Sequence, residues 1–215
     1  MKNKRELFII FTAAMVLCST AIAAEMHSSR EVLIASARPA DVRHPEGQGP
    51  VGQGLVRPEG ESPEMVYEAT KDLHTTGSPQ DVNISTWRLE VNGVKTTDSL
   101  SLSYQDLKKM NMVKKDVTLV CPGFFTDQAL WEGVLLSDIL EQARVQDDYE
   151  KIVFHSLDGY RSSLSREDIE NHLVFLALKV NGVTLPREHG YPVRLVAEDI
   201  TGGRWVKWID SIEVQ

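Results

Sequence analysis

The sequence predicts an α+β fold, mostly β, as a single domain behind a disordered N-terminal arm. Three observations predict it. From Ile84 onward, runs of β-branched and aromatic residues outnumber the helical stretches. Two of these runs end in Asn-Gly, at 92–93 and 181–182, the dipeptide that turns hairpins. The helical stretches are short and inserted between strands rather than alternating with them, a pattern of antiparallel pairing rather than of βαβ units.

Taken in order, "WRLEVNGV" alternates and reaches Asn92-Gly93, where a hairpin is expected. "SLSYQDLKKM" opens on Ser103 with Asp106 three positions on, the capping-box spacing of a short helix. "DVTLVC" reads as a buried strand, followed by an irregular loop. "LSDILEQA" reads as a helix capped by Ser137, and "KIVFHS" as a strand. Ser165 and Asp168 cap a helical turn running to Asn171. "LVFLALKVNGVTLP" is a strand, the second Asn-Gly turn and a returning strand; "YPVRLVAED" and "VKWIDSIEV" complete the set. The two "VNGV" copies are too short to constitute a repeat.

The N-terminus reads as a secretory leader over residues 1–24. Lys2, Lys4 and Arg5 precede an apolar run, and Ala21-Ile22-Ala23 has the small-x-small form of a cleavage site. Export is therefore expected, to the periplasm, with no membrane insertion after cleavage. Cleavage removes three cations and one anion, so the formal charge of −8 becomes −10. Such a balance excludes nucleic acid and anionic membrane surfaces as partners, both of which select an excess of Lys and Arg. Residues 25–73 are expected to be a flexible arm. Five of the nine prolines and five of the fourteen glycines fall between positions 37 and 63, too little apolar surface to offset the entropy of ordering. The domain proper is expected over 74–215.

The chemistry centres on one sulfur. Cys18 lies in the leader, leaving Cys121 without an intrachain partner. It stands where a strand ends, and Pro122-Gly123 turns the backbone away from it, which suits a side chain presented to a ligand; a small buried hydrophobe is the alternative. The first histidine after Cys121 is His155, and no methionine follows it, so a blue-copper loop is absent from the pattern. The histidines show no short zinc-ligand spacing. A Cys-His hydrolase stays open, without a local signature. Toward the C-terminus, "HGYPVR" and "GGRWVKW" gather His189, Arg194, Arg204 and Lys207 around Gly202-Gly203. In an acidic chain this cluster points to a bound anion, or to a solvated basic edge.

These segments, from "WRLEVNG" through "VTLVCPG", "LWEGVLLSDIL", "NGVTLP" and "HGYPVR" to "VKWIDSIEV", occur in the order found in the molybdopterin-binding domain of the sulfite oxidase family, which residues 84–215 resemble. The resemblance implies that fold, a mononuclear molybdenum–molybdopterin cofactor and two-electron oxygen-atom transfer on a small substrate of the sulfoxide or sulfite class. It implies Cys121 as the thiolate ligand of the metal. It also implies Ser156, His189, Arg194, Trp205, Val206 and Lys207 as cofactor contacts. No Cys-x-x-Cys-His is present, so electrons are expected to pass through a separate redox partner, a haem protein or a quinone-linked one.

The chain departs from the family pattern in three places. Where an arginine usually follows the metal-binding cysteine, "CPGFFTD" offers Phe124, Phe125 and Asp127; Arg161 of "DGYRSSL" is expected to reach the pocket in its stead. "LHTTGSPQDV", with His74, stands where an upstream cofactor-contacting segment belongs. Lys4-Arg5 with Leu7-Phe8 resembles a twin-arginine leader only in part. The alternative that these departures favour is an exported, non-catalytic binding module that keeps the fold without the cofactor.

Overall fold

A computed structural model describes residues 60–215, so the expected leader and most of the expected arm lie outside the described residues. The described end of that arm is ordered. Helix α1, Pro63–Thr70, starts where the Ser62 side chain accepts the Met65 N–H, with proline in the first turn. Val66, Ala69 and Leu73 pack against the core. Asn181 Nδ2 donates to Ala69 O at 2.8 Å and the Thr184 N–H to Glu61 Oε1 at 2.9 Å. The Pro/Gly-rich composition therefore misplaced the arm's boundary: a helix with a single apolar stripe borrows its stability from the sheet beneath it.

Strands β1 (Leu89–Gly93) and β2 (Leu100–Leu102) precede helix α2 (Tyr104–Lys109), whose Ser103–Asp106 capping box is present as expected. Next come β3 (Met112–Cys121), β4 (Phe125–Leu135), α3 (Leu136–Gln142), β5 (Lys151–Ser156), β6 (Arg161–Ser165) and α4 (Arg166–Asn171), the last with the Ser165–Asp168 box. Strands β7 (Val174–Val180), β8 (Val183–Thr184), β9 (Arg194–Ala197) and β10 (Ile209–Val214) complete the chain. One sheet has the order β2-β1-β10-β5-β6, the other β3-β4-β7-β8 with β9 also on β7. Among the described strands only β1 and β10 pair in parallel.

Three local expectations are corrected, and one strand is new. The stretch after Cys121 is not an irregular loop but β4, paired with β3 from Met112↔Val134 to Cys121↔Phe125. Its inward residues include Asp127 and Gly133 beside Ala129 and Trp131, so the apolar alternation is hidden. Gly93 does not turn a tight hairpin; it stays in β1 against Val214 at φ 133°, and a longer connection leads to β2. Ser137 does not cap α3, which begins after Leu135 without a side-chain cap. Strand β6 completes a second hairpin, pairing with β5 from Lys151↔Ser165 to His155↔Arg161. The Asn181-Gly182 turn is as expected, with both residues at positive φ, 48° and 85°.

The core is led by Trp131, Trp208, Phe154 and Phe175, all essentially fully buried. Strands β7 and β9 are almost wholly buried, which explains their continuous apolar runs. Among the described residues no helix is long and apolar enough to cross a membrane.

Candidate functional site

Cys121 closes β3 at the tip of the β3–β4 hairpin. The Phe124 N–H donates to Cys121 O at 3.0 Å, and Gly123 supplies the positive φ of 80° that the turn demands. The sulfur, half-buried, opens into a cavity of about 770 Å³. Four segments form its walls: the hairpin tip, residues 74–77, the β5–β6 turn with Ser156 and Tyr160, and the stretch from Gly202 to Trp208. Gly202 lies against the thiol. The Tyr160 hydroxyl donates to Gly203 O, clasping the β5–β6 turn to that stretch.

In and behind the pocket wall stands a charged layer. Arg194 is 5% exposed, with its guanidinium 4.8 Å from the Trp131 ring centroid and 5.8 Å from that of Trp205. Its Nη1 donates to His189 O at 3.2 Å, while its buried Nε has no partner among the described residues. Burial pulls its pKa down to about 10, against the opposing fields of Asp127 and Cys121. Lys207 lies over the Trp208 ring and donates to the Thr76 and Glu188 carbonyls. Burial, then Arg194, lowers it to about 8. His189 is 4% exposed; burial first and then the neighbouring Arg194 and Lys207 bring it down to about 4, so it is neutral at physiological pH. The layer thus carries two cations and a neutral imidazole.

The structure brings Cys121, Ser156, Trp205 and Lys207 together on the cavity surface. Arg194 and His189 are adjacent but stand behind the lining. Val206 is fully buried, and its carbonyl accepts the Leu195 N–H at 2.7 Å, tying the segment to β9. Arg161 is a correction: it is exposed and does not line the cavity. It is registered opposite His155, so both side chains share one face of the sheet. That face carries the His155–Glu213 pair, at 3.2 Å, and turns away from Ser156.

Sequence reasoning missed Tyr160, Trp208, and the link between His74 and Asp127. Asp127 is 4% exposed and accepts hydrogen bonds from the backbone N–H and ring of His74 at 2.8 and 2.7 Å. The two are 53 positions apart, and neither carries a local signature. Among the described residues no three His, Cys, Asp or Glu side chains form a metal-binding group. A metal at Cys121 would therefore draw most of its ligands from another molecule.

Comparison with known proteins gives the following. The family described as "Oxidoreductase molybdopterin binding domain" matches residues 75–215. Mouse mitochondrial sulfite oxidase is 34% identical over 159 residues, 60% of this chain and 29% of that protein. An uncharacterized oxidoreductase of Bacillus subtilis, YuiH, is 29% identical over 142 residues, 66% of this chain and 71% of its own. The chain thus spans under a third of the length of the mammalian sulfite oxidase it matches. Among solved structures, the sulfane dehydrogenase SoxCD of Paracoccus pantotrophus aligns with a TM-score of 0.58 at 21% identity, covering 87% of this chain and 59% of that one. At that identity the likeness concerns the fold.

Proposed function

The chain belongs to the oxidoreductase molybdopterin-binding-domain family, and from that premise we propose that it is an exported, periplasmic molybdenum oxidoreductase of the sulfite oxidase type, acting on a small oxygen donor or acceptor of the sulfoxide or sulfite class. One observation carries the reading: a single thiol opens into a large cavity backed by two cations.

The residues present fit a molybdopterin. Cys121 supplies one soft donor, as suits a metal whose remaining ligands arrive with an organic carrier. The unpartnered Arg194 Nε and the partly desolvated Lys207 favour an anionic group, the chemistry of a phosphate tail. Gly202 leaves free the space beside the sulfur that any Cβ would fill. Cys121 would hold the metal; Ser156, His189, Arg194, Lys207 and the Trp205–Val206 backbone would hold the pterin and its phosphate. When bound, the cofactor supplies two-electron oxygen-atom transfer.

The protein's own contribution is positioning and selection. The Arg194 guanidinium rests against both the Trp131 and the Trp205 ring, so its charge is oriented before any ligand arrives. Neutral His189 avoids adding a third charge beside Arg194 and Lys207, yet keeps hydrogen-bonding capacity. On the substrate side the lining offers Pro122, Phe124, Phe125 and Tyr160, and among the described residues no arginine. An oxyanion entering there would lose hydration without a bidentate partner, which supports a neutral sulfoxide over sulfite. Electrons would come from or go to a separate redox partner.

The test is elemental analysis of protein purified from its native compartment, beside the fluorescence of oxidised pterin released from it. Molybdenum and pterin near one per chain are expected, both lost in Cys121→Ala while the fold persists. Methyl sulfoxides should turn over faster than sulfite. Protein free of both molybdenum and pterin would point to the non-catalytic binding module instead.

A further inference from the structure

His74 and Asp127 take no part in gripping the cofactor in the reading above, yet they are built into the pocket wall. Asp127 is almost fully buried; one of its oxygens accepts the backbone N–H of His74 at 2.8 Å and the other lies 2.7 Å from the ring Nδ1. The ring also stacks on Phe125, with centroids 4.5 Å apart and planes 12° from parallel. Despite these three contacts the His74 side chain is 57% exposed and lines the cavity. Its Nε2 has no partner among the described residues. A surface ion pair contributes little to stability. A carboxylate sealed in the protein to orient an open imidazole is instead the arrangement that fixes a tautomer and leaves the other nitrogen available for proton exchange.

The reaction proposed above needs such a group. Transfer of oxygen between water and an acceptor X obeys X + H2O = XO + 2 H+ + 2 e−. X is oxidised, a one-electron redox partner is reduced twice, and two protons leave; the reverse direction consumes them. The other ionisable groups facing the pocket already have a partner or a role. Cys121 is reserved for the metal. Lys207 Nζ is tied to two carbonyls, Asp158 accepts the Tyr160 N–H at 2.9 Å, and the Tyr160 hydroxyl is spent on Gly203. Behind the wall, Arg194 and His189 lie within the field of the same Asp127 carboxylate.

We propose that His74 is the proton carrier of the oxygen transfer and Asp127 its positioning residue: Nδ1–H is held by the carboxylate, and Nε2 exchanges a proton between the transferred oxygen and solvent. The proposal rests on the oxygen-transfer reading of the Cys121 pocket.

Two measurements test it. Long-range 1H–15N correlation spectra of the full-length 15N-labelled protein read the tautomer directly, whether or not cofactor is present. The neutral His74 ring should be the Nδ1–H form; an Nε2–H ring overturns the proposal. The second assay uses dimethyl sulfoxide with reduced viologen as electron donor. His74→Ala should keep its molybdenum, keep KM within a few-fold, lose about a hundredfold or more in kcat, and recover in part when imidazole is added. Asp127→Asn should move the pH limb that His74→Ala abolishes. A molybdenum-loaded His74→Ala enzyme with unchanged kcat and pH profile defeats the inference alone. Wild-type protein without molybdenum and pterin defeats the oxygen-transfer reading instead, and the tautomer still reports on the pair.

Discussion

Gly202 is packed so closely on Cys121 that a Cβ at position 202 would stand 2.5 Å from the sulfur and equally close to Leu119 Cδ1. Gly202→Ala should therefore push the hairpin tip away from the 202–204 turn. The overpacking costs about 1–3 kcal/mol, or roughly 2–4 °C of Tm per kcal/mol in a chain of this size. Molybdenum content should fall together with Tm. Calorimetry and metal analysis on one preparation check this, and an alanine variant that is both loaded and undiminished in Tm contradicts it.

His189 carries a pH signature. Its folded pKa of about 4 lies below the unfolded value of about 6.5, so the unfolded chain takes up the proton first. The contribution is complete above about pH 6.5 and drains away as pH falls toward 4, with a slope of up to about 1.4 kcal/mol per pH unit. Urea unfolding of wild type and His189→Gln between these limits should give curves that converge as pH drops. Parallel curves would show that the imidazole is not held neutral.

Gly93 and Gly159 separate two costs of replacing glycine. Both sit at positive φ, 133° and 85°, but a Cβ at 93 would fall 2.1 Å from Val214 O, whereas nothing lies within 4 Å of one at 159. Gly159→Ala should cost only backbone strain, about 1–2 kcal/mol. Gly93→Ala should break the parallel β1–β10 pairing and cost on the order of 3 kcal/mol or more. Chemical denaturation of the two variants measures the gap; equal losses would mean that the β1–β10 contact is not close.

Tyr160→Phe removes the hydroxyl that clasps Gly203. A hydrogen bond of about 1 kcal/mol corresponds to roughly fivefold in local opening. Amide exchange in residues 202–204 should accelerate by that order while β7, buried along its length, stays protected. Unchanged exchange in the turn would show that the clasp does not restrain it.

Much of the fold is legible in local pattern. The two capping boxes, the Asn181-Gly182 turn and the strands ending at Cys121 and Ser156 stand where propensity and spacing put them. Cys121 at a strand end before Pro-Gly was likewise readable as a presented thiol. Strand β4 was not, because Asp127 and Gly133 occupy inward positions and erase the period-2 signal. Nor was α1, whose apolar stripe sits inside a Pro/Gly-rich context.

The amino-acid order by itself determined most of the element types, the place of the Cys121 sulfur at a strand end and the cluster of His189, Arg194, Arg204 and Lys207 near the C-terminus, since these follow from backbone preference and side-chain chemistry at neighbouring positions. Tertiary structure alone decided which charges face the pocket. Strand register turned Arg161 to the outer face beside His155, and hairpin pairing sealed Asp127 inside, within reach of a histidine 53 positions earlier. Such partners are set by the packing of sheets across long chain separations, which no local spacing encodes.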